Sequence, residues 1–183
     1  MSTAKPPPPV VLVAAITAQP GVADSPTIHE ALSAEWGEIA DVSPRYEFDA
    51  FTRYYVREMG TELVKWFVRF EHPISPDALP DIKHVSNRIE QIWVHEGRRR
   101  VNIDPGYLTS MSLILASTKS VAHRIYIRDG IYGENAIHYE TGAWRAWSWT
   151  YPDFKQTMVT DALTEWRTYA LELKNAHGEN ANA

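Results

Sequence analysis

Apolar and polar positions divide the chain into recognisable elements. Val10–Ala18 is almost wholly aliphatic, with several β-branched residues and no alternation. That pattern predicts a strand buried on both faces. Ser25-Pro26 reads as a helix start, and Ile28, Ala31, Leu32 and Trp36 follow at helical spacing until Gly37. Tyr46 and Phe48 alternate within 44–50, a strand pattern, and Phe51–Met59 reads as a short helix stopped by Gly60. Val64, Trp66, Val68 and Phe70 alternate with Lys65 and Arg69, which predicts a strand with one face buried. Leu79, Ile82, Val85, Ile89 and Ile92 form a helical stripe that Gly97 stops.

Arg99–Ile103 reads as a short strand. Pro105-Gly106 then turns the chain into Tyr107–Ser117, whose near-continuous apolar character predicts a buried helix. Ala122–Arg128 and Ile131–Glu140 flank Asp129-Gly130, a hairpin signal, and Thr141-Gly142 adds a third strand through Trp149. Phe154, Met158, Ala162, Trp166, Ala170 and Leu173 mark a long C-terminal helix. The reading is one α+β domain over 10–174. It has a mixed or antiparallel sheet with a late β-meander, packed against several helices. Residues 1–9, with Pro6–Pro9, and residues 175–183 read as disordered tails.

Composition adds limits. The 183 residues are 44% hydrophobic and 22% charged, as in globular domains, and none is cysteine. No disulfide or thiolate metal site can form, which fits a reducing, cytoplasmic setting. No apolar run approaches the roughly 20 residues of a membrane span, so no membrane partner is expected. Val10–Ala18 follows Lys5 much as the core of a signal peptide would, but four prolines in between argue against that reading.

Charge is segregated. Residues 98–128 carry six basic side chains against one acid, a net +5 in a chain of −5, which leaves −10 elsewhere. Such a window can concentrate positive field where an anion sits. The plain alternative is a set of solvated strand-end arginines paired with acidic helices. Arg100, Asn102 and Asp104 would share one strand face. The turn at Asp104–Tyr107, opening a helix, would then offer free N–H groups to an anion. Alternatively, Asp104 merely caps that helix.

If Asp129-Gly130 is a two-residue turn, His123 falls opposite Ala136, so His123, Glu134 and His138 share a face. A His beside a carboxylate can move protons, and two His with one Glu can hold a metal, although an idle surface pair fits equally. A bulge would break the grouping. Trp144, Trp147, Trp149 and Tyr151 can stack on bases or simply pack. The chain lacks a phosphate loop, a dinucleotide fingerprint, His-Glu-x-x-His and a Gly-x-Ser-x-Gly elbow. No cofactor can be named, and no metal site is assigned.

Phe48–Gly60 (FDAFTRYYVREMG), Arg99–Thr109 (RRVNIDPGYLT), Leu115–Tyr126 (LASTKSVAHRIY), Gly130–Glu134 (GIYGE) and Trp149–Asp153 (WTYPD) together resemble a bacterial family catalogued as domain of unknown function 4416. The resemblance spans roughly 10–170. It implies that Asn102, Asp104, Lys119, His123, Arg124, Tyr132 and Glu134 lie in the family's characteristic segments. It brings no activity, cofactor or catalytic residue. Some members carry a GTP-binding label, which this chain supports poorly, lacking both a phosphate loop and Asn-Lys-x-Asp.

Three functions follow as expectations. The first is binding of a small anionic or phosphorylated molecule, a nucleotide among the options, through Arg100, Asn102, Tyr107, Lys119, Arg124 and Tyr132. The second is a hydrolase or transferase using His123 with Glu134 or Asp104. The third is RNA binding through the sheet, which the chain's overall acidity disfavours.

Overall fold

The computed structural model describes residues 4–180. Residues 1–3 and 181–183 of the expected tails lie outside that range, and 4–9 carry no regular structure. The elements are β1 (Val11–Ala18), α1 (Pro20–Ala23), α2 (Thr27–Trp36), β2 (Ile39–Val42), β3 (Tyr46–Glu47), α3 (Val56–Met59), β4 (Val64–Phe70), α4 (Leu79–Glu90), β5 (Val94–His95), β6 (Arg98–Arg99), β7 (Val101–Leu108), β8 (Ser112–Ser117), β9 (Ile125–Arg128), β10 (Ile131–Glu140), β11 (Ala143–Ala146) and α5 (Thr157–Asn180). The main sheet runs β11-β10-β8-β7-β1-β4-β2, with β3 on β4 and β9 on β10. Every strand pairing among the described residues is antiparallel.

Three layers result. Val11, Val13, Ala15, Phe67 and Leu113 face α5, where Val159, Leu163 and Trp166 are buried against them. Leu12, Ala14, Ile16, Val68 and Ile103 face the opposite way, onto Ile28 and Leu32 of α2 and Ile82 and Ile89 of α4. Both faces of β1 are therefore covered, which is why Val11–Ala18 shows no alternation. The same double cover corrects the reading of β4. Lys65 and Phe67 are buried on the α5 side, so the face expected to be exposed is half interior.

The largest correction concerns 99–117. The chain does not turn at Pro105-Gly106 and forms no helix; β7 runs straight through both residues. The turn comes later, where Thr109 Oγ1 accepts from the backbone N–H of Met111 (3.1 Å) and Ser112 (2.9 Å). It divides the apolar run into the end of β7 and all of β8. Gly106 serves a close approach between strands: a Cβ there would stand 2.3 Å from the Ile114 carbonyl oxygen. Pro105 is tolerated because pairing with β8 begins only at Gly106.

Smaller differences follow from local chemistry. The helix after Pro76 ends at Glu90. Glu96-Gly97 (φ 49° and 72°) then turns a minimal β5–β6 hairpin. The Phe51–Met59 helix is confined to α3, and α5 continues past Asn175. Asp129-Gly130 does form the two-residue turn, with φ of 53° and 76° and Arg128 opposite Ile131. No helix of the described residues is long and apolar enough to cross a membrane.

Candidate ligand cavity

Antiparallel register assembles the site from single residues on separate strands. Lys65 lies beside Thr17, which lies beside Asn102. One row along, Phe67, Ala15 and Asp104 line up. A third row joins Val13, Gly106, Leu115 and Glu134. All three rows point to the α5 side.

β7 and β8 pair only over Gly106–Leu108, yet β7 continues along β1 to Val101. Beyond Gly106 the two strands part, and α4 closes the opening from the opposite face. Lys83 Nζ donates to the Ile103 carbonyl (2.8 Å) and to Asp104 Oδ1 (3.2 Å), while Glu90 Oε1 accepts from the Ile103 N–H (2.7 Å). Helix side chains thus satisfy a strand edge that no neighbouring strand reaches. The parting leaves a cavity of about 150 Å³. Asn102, Asp104, Glu134, Lys119 and Arg124 line it, along with the rings of Phe48, Tyr54, Tyr55, Tyr151 and Phe154.

Five cations reach this cavity: Lys65, Lys83, Arg99, Lys119 and Arg124. Four have carboxylate partners. Lys65 Nζ stands 2.5 Å from Asp153 Oδ2, among the rings of Phe154 (4.8 Å), Phe48 (4.9 Å) and Phe67 (5.6 Å). Arg99 bridges Glu58 (2.6 Å) and Glu90 (2.8 Å), and Arg124 Nε donates to Glu134 Oε2 (2.6 Å). Lys119 differs: among the described residues no carboxylate lies within ion-pair distance, and its Nζ meets the Tyr54 hydroxyl and ring. Of the six basic residues in the +5 window, three are neutralised in place: Arg99, Arg124 and Arg128, the last by Asp81 and Asp129.

Protonation follows from these neighbours. Enclosure pushes the Asp104 carboxyl up, but Lys83 and Lys65, with the Asn102 amide, overcome it and hold it below the usual range. Burial wins at Glu90, which is raised despite Lys83 and Arg99. Burial also raises the Tyr55 and Tyr151 hydroxyls, helped at both by the negative charge of Asp104.

Several expected site residues stand elsewhere. Arg100 precedes β7 and donates through Nε to Gln19 Oε1 (2.8 Å), outside the cavity lining. Tyr107 faces the opposite side and packs with Leu79, Ala116 and Ile131. Tyr132 meets Tyr126 edge-on and does not reach the cavity. No helix begins at Asp104, so the proposed helix-start anion site does not exist.

Bulges correct the histidine grouping. Ile127 is extra in β9 and Ala136 is extra in β10. The second bulge turns His138 to the face opposite Glu134. His123 still approaches Glu134, with Nε2 3.5 Å from Oε2, but it lies outside the cavity lining. The bulge also leaves carbonyls of β10 without a ladder partner. Trp149 Nε1 donates to the Asn135 carbonyl (3.1 Å) and Thr150 Oγ1 to that of Ala136 (2.6 Å). The rings of His138, Trp147, Trp149 and His123 stack in one column, with centroid steps of 4.0, 5.2 and 5.3 Å.

Sequence reasoning missed Lys65, Lys83, Arg99 and the rings of Tyr54 and Tyr55. Only the pairing of β1 with both β4 and β7 puts Lys65 beside Asn102, and no spacing within one segment carries that information.

Fold and site together define an antiparallel α+β domain whose cavity opens where two strands of its sheet separate. The chain belongs to the family described as Domain of unknown function (DUF4416), whose profile matches residues 8–169. No curated protein and no solved structure matches the chain.

Proposed function

We propose that the chain binds a small anionic molecule in the cavity between β7 and β8. The observation that carries this reading is Lys119, a cation at the cavity without a carboxylate partner among the described residues. Asn102 and Thr17 add neutral hydrogen-bonding groups, and Tyr54 and Tyr55 supply ring faces. Arg124 has a different part from the one its sequence position suggests. Its Nε holds Glu134, its Nη1 donates to Ser117 Oγ (2.7 Å) and the Lys119 carbonyl (3.2 Å), and its Nη2 reaches the Tyr151 hydroxyl (3.4 Å). Arg124 is thus a positioning residue that fixes the loop bearing Lys119. The cysteine-free composition supports a cytoplasmic setting.

Titration calorimetry with inorganic phosphate tests the reading. Millimolar or tighter binding is expected, weakened about tenfold by Lys119→Ala, since one charge-assisted contact contributes about 1.5 kcal/mol or more. Equal heats from the two proteins, or none from either, would overturn it.

A second reading, a hydrolase or transferase, draws on the His123–Glu134 contact at 3.5 Å. It ranks lower because His123 does not line the cavity and Arg124 already occupies the same Glu134 oxygen. RNA binding ranks lowest. Tyr126 and Trp149 are partly exposed, but both faces of Trp147 and Trp149 are taken up by the ring column.

A further inference from the structure

Anion binding at this cavity is the premise, and the other groups of the lining narrow the ligand to one class. We infer that the ligand is a small hydroxylated anion, one that sets its charged group against Lys119 and a neutral hydroxyl against Glu134.

Glu134 is 2% exposed and lines the cavity. Its Oε2 accepts from Arg124, yet its Oε1 is buried with no hydrogen-bond partner among the described residues. A buried carboxylate oxygen without a donor is costly, and a donor supplied within the cavity would remove that cost. The other lining carboxylate has no such need: Asp104 Oδ1 accepts from Lys83 and Oδ2 from Asn102 (2.8 Å). The demand for a donor is therefore localised at Glu134.

Charge selects the kind of donor. Arg124 already neutralises Glu134, and among the described residues Lys119 is the lining cation with no carboxylate partner. An added ammonium would find Glu134 already paired and would meet the Arg124 and Lys119 cations, whereas a hydroxyl brings a proton donor without charge. Arg124 also ties the two ends together. One guanidinium holds both Glu134 and the Lys119 carbonyl, so the donor-seeking oxygen and the loop carrying the free cation keep a fixed relation. Rings in the same lining, such as Tyr55 and Phe48, suit the carbon skeleton of the ligand.

The test compares matched pairs on the full chain by titration calorimetry. Glycerol 3-phosphate is set against n-propyl phosphate, and glycerate against propionate. Phosphoethanolamine supplies an ammonium in place of the hydroxyls. A preference of tenfold or more for the hydroxylated member of either pair supports the inference, and the pair that shows it identifies phosphate or carboxylate as the anion. Glu134→Gln should then shrink that preference to threefold or less, because the hydroxyl loses a charged acceptor; a preference left intact in a folded Glu134→Gln protein overturns the role of Glu134. Propyl phosphate binding as tightly as glycerol 3-phosphate, with no preference between the carboxylates, overturns the hydroxyl inference and leaves anion binding standing. Phosphoethanolamine binding best overturns the neutral-donor argument. Absence of binding by all five compounds overturns both readings.

Discussion

Removing the Asp153 carboxylate should destabilise the fold far more than removing the whole charged set to which it belongs. Asp153 is fully buried, and Oδ2 accepts from Lys65 Nζ at 2.5 Å and from the Tyr46 hydroxyl at 2.9 Å. The Lys65 side chain is only 7% exposed. At 2.5 Å and an effective dielectric of about 20, the ion-pair attraction is about 7 kcal/mol. Desolvating two ions costs several kcal/mol each, so the intact pair contributes close to nothing net. Asp153→Ala deletes the attraction but leaves the Lys65 cation among three phenyl rings, with an expected loss of about 3–5 kcal/mol. That is a large share of the roughly 5–15 kcal/mol by which domains are stable. With a urea m-value of about 2 kcal/mol/M, the midpoint should fall by about 2 M. The triple variant Tyr46→Phe, Lys65→Met, Asp153→Leu removes every member together and should recover to within about 2 kcal/mol of the parent. Urea unfolding followed by circular dichroism measures both. A loss below about 1 kcal/mol for Asp153→Ala, or a triple variant as weak as the single one, would refute the reasoning. If the triple variant folds normally but no longer binds phosphate, Lys65 is kept for the ligand and not for stability.

Gly106→Ala places a methyl 2.3 Å from the Ile114 carbonyl oxygen and 2.8 Å from Leu115 Cδ2, forcing β7 and β8 apart. Overpacking of about 2–3 kcal/mol should lower Tm by about 5–10 °C, and a melt within 2 °C of the parent would contradict the close approach. Asp104→Asn tests the depressed carboxyl. Its folded pKa lies below the ordinary 3.8, so the stability gained from its ionisation is fully present above 3.8 and fades as pH falls through the folded value. The parent's advantage over Asp104→Asn should hold from neutrality down to about pH 4 and shrink below that. Urea midpoints across pH measure it, and an advantage that grows on acidification would show the sign to be wrong.

The fold was legible where one physical rule acted alone. β1, α2, α4 and the Asp129-Gly130 turn each follow from periodicity or backbone chirality, and neighbours do not overrule them. The reading failed at 99–117, where Pro105-Gly106 carries turn chemistry but serves a strand. Gly106 answers to the Ile114 carbonyl across the ladder, a contact invisible within the segment. Arg99 and Arg100 could not be ranked from sequence either. The hairpin that carries Arg99 beside Glu58 and Glu90 depends on where α4 ends, and Gly97 suggested the wrong end. Asn102, Asp104, Lys119, Arg124 and Glu134 do meet at one cavity, because they lie on β7 and β10, the strands on either side of β8, or on the segment that follows β8.

One feature of the backbone accounts for both the cavity and its unusual charge content. Had β7 and β8 stayed paired to their ends, β8 would have supplied the partners that Ile103 finds on α4. Lys83 and Glu90 would then have no reason to be buried. Because the strands part, a helix must send one donor and one acceptor through the gap, and burying them as ions obliges further ions to neutralise them: Asp104 for Lys83, and Arg99 for Glu90. Structural need thus explains four of the charged groups around the hollow. It does not extend to Lys119, which among the described residues bonds no strand edge and neutralises no buried acid, or to Glu134 Oε1, which finds no hydrogen-bond donor among them. These are the two groups left for a ligand once the sheet's own requirements are met.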